Sequence, residues 1–170
     1  IYCDPHKEKR ARLAKQNEVK NYLDQHELKY VSYDKRIEEN KCGLERPDFV
    51  FESKSGSHIV ILEVDENQHK SRAEECECAR MVNISQDYGL PTIYIRYNPD
   101  EYKTNKHKYN PLTTKRLKVL EGWIKFLQEL DIDKLKNYGY CSYIQLFFDG
   151  YKEGNVVPIT ILGFETNQPK

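Results

Sequence analysis

The pattern of apolar and polar positions divides the chain into alternating helical and extended stretches. Residues 46–51 and 58–69 are rich in β-branched and aromatic side chains, and the break Ser53-Lys54-Ser55-Gly56-Ser57 between them predicts a hairpin. A period of two in the second run places Ile59, Ile61, Glu63 and Asp65 on one face and Val60, Leu62 and Val64 on the other. Ahead of the hairpin, the stretch from Pro5 or Lys7 to about Gln25 reads as a helix with Pro in its first turn; Ala11, Ala14, Glu18 and Tyr22 recur at three and four along one face. Residues 27–34 predict a first strand, with Leu28, Tyr30 and Ser32 on one side.

Beyond the hairpin, residues 71–88 predict a helix on which Cys76, Arg80, Ile84 and Tyr88 repeat at four, ended by Gly89 and Pro91. Residues 92–97 predict a strand, and strand–helix–strand is the signature of a parallel pair with a crossover. Both strand ends then lie at the customary ligand edge of a parallel sheet. Residues 99–111 predict a polar loop in which Lys alternates with Tyr102 and Tyr109, able to track a nucleic-acid backbone while stacking bases, or simply to be solvated. Residues 113–130 predict an amphipathic helix with Leu117, Leu120, Ile124 and Leu127 inward; 141–149 and 156–162 predict two more strands beside a turn at Asp149-Gly150. The expected fold class is therefore α/β, a mixed central sheet flanked by helices.

Composition narrows the function classes. The 170 residues suit one domain over 9–165 after a short segment, 1–8. A mean hydropathy of -0.84 with 38% hydrophobic and 12% aromatic residues describes a polar but foldable chain. A formal charge of +0 does not announce a binder of polyanions, so such contacts would come from local patches. Two exist, Lys7, Lys9, Arg10, Arg12 and Lys15, then Lys103, Lys106, Lys108, Lys115, Arg116 and Lys118, although such runs also serve as solvated faces. Five Cys, an odd number with Cys76 and Cys78 close together, argue against a disulfide framework and for an intracellular, reducing compartment. No long apolar run or signal peptide points to a membrane. Opening at Ile1 rather than Met, the chain reads as a piece of something longer, and Cys3-x2-His6 reads either as half of a Cys/His zinc repeat or as a loose terminal segment.

The candidate chemistry sits in the hairpin. Glu63 and Asp65 project together from an apolar strand, and two like charges about 4 Å apart repel by about 4 kcal/mol at an effective dielectric near 20. A divalent cation is the usual remedy, and hard oxygen ligands suit Mg²⁺. Asp48, on the first strand, is a third acid for the same ion. The pattern Pro47-Asp48-x14-Glu63-Val64-Asp65 resembles the PD-(D/E)XK nuclease superfamily; its continuation through Gln68-His69 and Glu77-x2-Arg80 resembles the branch of very short patch repair endonucleases and related homing endonucleases. The likeness covers residues 10–100 and departs from the family at Asp65, which stands where Lys is usual.

The resemblance implies a restriction-endonuclease-like fold and hydrolysis of phosphodiester bonds in DNA. Mg²⁺, or Mn²⁺ in its place, would be held by Asp48, Glu63 and the Val64 carbonyl, with His69 activating water and Gln68 beside it. Family members commonly add an acid from the first helix, which makes Glu18 a candidate; Asp65 and Glu18 would hold a second ion or position His69. Arg46, Lys70, Arg80 and Arg96 are candidates for phosphate contact. Cys42, Cys76 and Cys78 with a His would suit the structural Zn²⁺ that proteins of this branch can carry, or are small buried apolar groups. Two other readings stand beside this one: a nuclease-fold module that binds nucleic acid without cutting, favoured by the missing Lys, and a structural interaction domain whose acids form surface ion pairs. A homodimer and a nuclear, cytoplasmic or virus-encoded setting are all compatible with the sequence.

Overall fold

A computed structural model describes residues 5–34, 47–70 and 72–164, with side chains from Leu13 onward. Helix α1 (Pro5–Gln25) is followed by a two-residue strand β1 (Ser32–Tyr33), the hairpin strands β2 (Phe49–Glu52) and β3 (Ile59–Val64), helix α2 (Glu74–Tyr88) and strand β4 (Thr92–Tyr97). A separate hairpin, β5 (Tyr102–Thr104) and β6 (His107–Tyr109), precedes α3 (Thr113–Gln128), the short α4 (Ile132–Leu135), β7 (Cys141–Leu146) and β8 (Ile159–Leu162). Six strands form one sheet in the order β1-β2-β3-β4-β7-β8. The pairs β3/β4 and β4/β7 are parallel, whereas β1/β2, β2/β3 and β7/β8 are antiparallel. This is a mixed α/β fold with helices on both faces of the sheet. No helix among the described residues is long and apolar enough to cross a membrane.

The two faces follow from the alternation along the strands. β3 and β4 are buried at every position, as strands covered on both sides must be. Val60, Leu62, Ile93 and Ile95 pack with Val19 and Leu23 of α1 and Leu117, Leu120 and Ile124 of α3. Ile59, Ile61 and Tyr94 pack on the other side against Met81 and Ile84 of α2. The Tyr94 hydroxyl donates to the Met81 carbonyl at 2.9 Å, fixing the height of α2 over the sheet.

Several boundaries differ from the sequence expectation. The strand expected over 27–34 shrinks to two residues because Glu27 (φ 56°) and Asp34 (φ 44°) turn the chain at both ends. α2 starts at Glu74 rather than 71, α3 stops at Gln128, β7 at Leu146, and β8 begins only at Ile159. The expected loop at 99–111 contains the hairpin β5–β6, whose two tip residues, Asn105 (φ 52°) and Lys106 (φ 66°), supply the two positive φ values of a type I′ turn. Arg116, read as part of a basic surface run, is 1% exposed.

Gly139 illustrates how closely β7 and β8 are joined. Its φ of 74° and ψ of -173° fall in a region open essentially to glycine alone. A Cβ there would stand 2.6 Å from the Thr160 methyl and 2.9 Å from the Leu162 carbonyl. Gly139→Ala is expected to cost about 2 kcal/mol in urea unfolding, and a change below a few tenths would show that β8 gives way without cost.

Candidate active site

The odd-numbered face of β3 turns polar at its C-terminal end. Ile59 and Ile61 lie under α2, and Glu63 continues that series. Its neighbours in register are Arg96 of β4 and, one strand further, Gln145 of β7. On the other side, continuing the β2–β3 register past Phe49↔Leu62 sets Asp48 opposite Glu63. A polar row thus crosses the sheet at the carboxyl ends of its parallel strands. It arises because four strands each exchange an apolar for a polar residue at the same level.

Every charged member of the row is held. Asp48 accepts from the Val64 amide at 2.8 Å and from the Gln16 side-chain amide of α1 at 3.1 Å. Glu63 accepts from Arg80 of α2 at 3.1 Å, and Asp65 from Arg96 Nε at 2.7 Å. Arg96 also lies over the rings of Tyr143 and Phe148, at 5.5 and 5.3 Å from their centroids.

After Asp65 the chain makes an unusual turn. Asn67, Gln68 and His69 have φ of 51°, 58° and 50°, three successive left-handed residues without a glycine, each costing on the order of 1 kcal/mol. Three anchors hold the turn. The Asn67 amide donates to Asp100 at 2.8 Å, the Gln68 side-chain amide donates to Asp149 at 3.1 Å, and the Asp149 amide donates back to Gln68 at 2.8 Å. The result is to fold His69 back over the row. Its Nδ1 stands 3.3 Å from Asp65 and 3.6 Å from Glu77 of α2, electrostatic approaches without the geometry of a hydrogen bond. Backbone strain of this kind, held by surrounding contacts, is typical of positioned functional groups.

The electrostatics differ along the row. Burial pushes the Glu63 carboxyl well above the usual carboxylate range, and the facing Asp48 adds to it, with Arg80 opposing. Burial also raises Asp65 despite Arg96 and His69. Glu77 is the reverse case: His69, with Arg72 at 3.0 Å, holds it down at about 2. Burial works against the Arg80 charge, but Glu63 outweighs it and pushes that guanidinium above its ordinary value.

The predicted residues divide accordingly. Asp48, Glu63, Asp65, His69, Arg80 and Arg96 converge at one edge. Glu18 does not join them: its side chain is exposed, and Gln16 reaches Asp48 instead. Gln68 turns away to Asp149, and Lys70 pairs with the same carboxylate at 3.0 Å on the exposed side. Arg96 is buried and committed to Asp65, an internal ion pair rather than a ready phosphate contact. Arg46 and Cys42 lie outside the described residues, as does Cys3 and the side chain of His6. Cys76 is exposed and Cys78 half-buried, and side chains two apart on a helix do not face each other. Glu77, named in the sequence only as part of the Glu77-x2-Arg80 motif, takes its place beside His69 and Arg72, and Gln16 is the contributor that sequence reasoning missed. The spacing Gln16, Val19, Leu23 marks the buried face of α1, one step from the face the alanines suggested.

Asp48, Glu63 and the Val64 carbonyl supply the hard oxygen atoms that Mg²⁺ prefers. Among the described residues, however, no three His, Cys, Asp or Glu side chains are gathered closely enough to hold an ion as they stand. Occupation would require Glu63 to exchange Arg80 for the cation. No protein-family model matches the chain, and no curated protein or solved structure matches it.

Proposed function

We propose that the protein is a metal-dependent endonuclease that hydrolyses phosphodiester bonds in DNA. The observation that carries this reading is the buried pair Asp48 and Glu63, which the β2–β3 register, continued one residue past Phe49↔Leu62, sets opposite each other at the carboxyl edge of the parallel strands. Burial and the Asp48 charge act on Glu63 more strongly than its partner Arg80 offsets them, so a divalent cation between the two carboxylates would relieve the repulsion that remains. Asp48, Glu63 and the Val64 carbonyl would hold Mg²⁺, which when bound would polarise a phosphoryl oxygen and lower the pKa of its water.

The remaining work falls to side chains of this protein. His69 takes the proton of the attacking water at Nε2, while Asp65 and Glu77 stabilise the imidazolium from the Nδ1 side. As the water oxygen bonds to phosphorus, the bond to the departing sugar oxygen breaks, and that oxygen takes a proton from solvent. Arg80, freed from Glu63, offsets the charge that builds on the phosphoryl oxygens. It thereby partly replaces the Lys usual in the PD-(D/E)XK pattern, where this sequence has Asp65.

One observation favours a silent, nucleic-acid-binding module instead. Glu63, Asp65 and Glu77 already have arginine partners in Arg80, Arg96 and Arg72. A single experiment separates the readings. EDTA-stripped protein is incubated with duplex, single-stranded and branched DNA, with and without Mg²⁺ or Mn²⁺, and its melting is followed over the same titrations. Nicked or cleaved product only with the ion, and a higher melting temperature at saturating ion, is the expected result. Gel shifts in EDTA without product or thermal shift in either ion would replace the nuclease by the module.

A further inference from the structure

The basic, tyrosine-bearing stretch at 99–111 folds into a hairpin that walls a cavity of about 380 Å³. That volume lies in the ~300–1,000 Å³ range of small-molecule sites. Tyr102, Phe147 and Tyr151 form an aromatic floor, with Tyr102 edge-on to Tyr151 at 5.8 Å. Tyr109 stacks on Tyr102 with ring centroids 5.6 Å apart and remains 43% exposed, so its outer face is open. Lys115 of α3 and Lys152 also line the cavity, two cations against the single acid Glu153.

The charges of the hairpin call for an anion. Lys103 and Lys108 are directly opposite in register, an arrangement that destabilises an isolated antiparallel pair. Lys106 occupies the second left-handed position of the turn, where glycine is the residue without strain. A lysine kept there sets a cation at the tip at some cost to the fold. Exposed Glu101, 3.6 Å from Lys108, answers only part of this charge.

Hairpin and candidate active site share one edge of the molecule. Asp149 accepts from the Lys103 amide at 2.9 Å and from Gln68 at 3.1 Å, and Gly150 donates to the Lys103 carbonyl at 2.8 Å. The turn that carries His69 and the hairpin are thus joined through one carboxylate.

We propose that this cavity receives an unpaired base of the substrate strand, stacked on Tyr109, while Lys106, Lys115 and Lys152 hold the phosphates on either side of it. The proposal deepens the nuclease reading by naming its substrate class, DNA with a single-stranded or extruded nucleotide. Base–aromatic stacking together with a basic backbone track is the general chemistry of single-strand recognition.

The test is fluorescence anisotropy in EDTA, with fluorescein-labelled oligothymidylate and a blunt duplex of equal length, which reads binding apart from cleavage. The single strand is expected to bind more tightly than the duplex. Tyr109→Ala is expected to weaken single-strand binding about tenfold. Lys106→Gly is expected to weaken it several-fold and to lower the salt slope by about 0.7, with a melting temperature equal to or above that of the native protein. The last readout distinguishes a contact from a structural effect, since glycine relieves strain at the tip. Native affinity in both variants, or no preference for the single strand, overturns the pocket even where Mg²⁺-dependent cleavage is observed. Weakened binding in both variants with no cleavage in any ion upholds the pocket and overturns the nuclease.

Discussion

Glu63→Gln is expected to lower Mg²⁺-dependent cleavage by roughly 10³-fold or more while leaving the protein folded, because a cation contributes several kcal/mol to transition-state charge and each 1.4 kcal/mol is tenfold in rate. Gln keeps an acceptor for Arg80 and nearly the volume of Glu, so the fold around α2 has no reason to move. The variant also reports on the buried charge itself. In the folded protein the Glu63 carboxyl is raised above its ordinary 4.5, so the native state holds that proton more tightly than the unfolded chain does. Its contribution to stability is complete below 4.5 and is lost as pH rises from there through the folded value. Gln cannot titrate. In EDTA the stability of the variant relative to the native protein is therefore expected to increase with pH across that window, and saturating Mg²⁺ should narrow the gap by stabilising the native protein alone. Urea unfolding at several pH values, with and without the ion, measures both. Undiminished cleavage would remove Glu63 from the chemistry, and parallel stability curves would remove its buried charge from the account.

The parts of this architecture that were legible in the sequence are those governed by short-range periodicity. Alternation along 59–65 gave the two faces of β3, and the position of Glu63 on the α2 face follows from counting in twos from Ile59 and Ile61. The run Thr92–Tyr97 and the helix before it predicted a parallel neighbour, and the register then brought Arg96 beside Glu63. What stayed hidden depends on contacts far apart in the chain. Asp65, two residues beyond Glu63 and expected to hold a second ion or position His69, is drawn to Arg96 across the sheet. The reach of Gln16 to Asp48 depends on the rotation of α1, which two alanines, a tyrosine and an acid could not fix. Nothing in Asn67-Gln68-His69 announces three left-handed residues; Asp100 and Asp149, from other strand ends, hold them there. A lysine at a hairpin tip likewise conceals the turn, because Asn-Lys lacks the glycine by which a type I′ pair is recognised.

Arg116→Ala is expected to destabilise the protein by about 3 kcal/mol. The guanidinium is enclosed at the start of α3 and shared among backbone groups. Nε donates to the Pro111 carbonyl at 3.1 Å, one terminal nitrogen donates to the carbonyls of Asn98 and Asp100 at 2.9 and 2.8 Å, and the other donates to the Asn110 side chain at 2.8 Å. The ring of Phe147 lies 5.2 Å away and that of Tyr102 5.9 Å, so the charge is balanced by carbonyl dipoles and aromatic faces. Truncation leaves the buried Asn98 carbonyl without a donor, at about 1–3 kcal/mol unless water enters, withdraws a donor from three less buried acceptors, and empties the space of a side chain that is itself 1% exposed. Arg116→Lys is expected to recover less than half, since an ammonium cannot span acceptors arranged for a planar fork. The loss should spread along a defined route. Asn98 and Asp100 join the end of β4 to the hairpin, and Asp100 also accepts from the Asn67 amide at the base of the His69 turn. Limited proteolysis is therefore expected to cut first within 99–111 in the Ala variant, and cleavage activity to fall at temperatures where the sheet remains folded. A loss below about 1 kcal/mol, or proteolysis spread evenly over the chain, would mean that water replaces the guanidinium and that the hairpin does not depend on it.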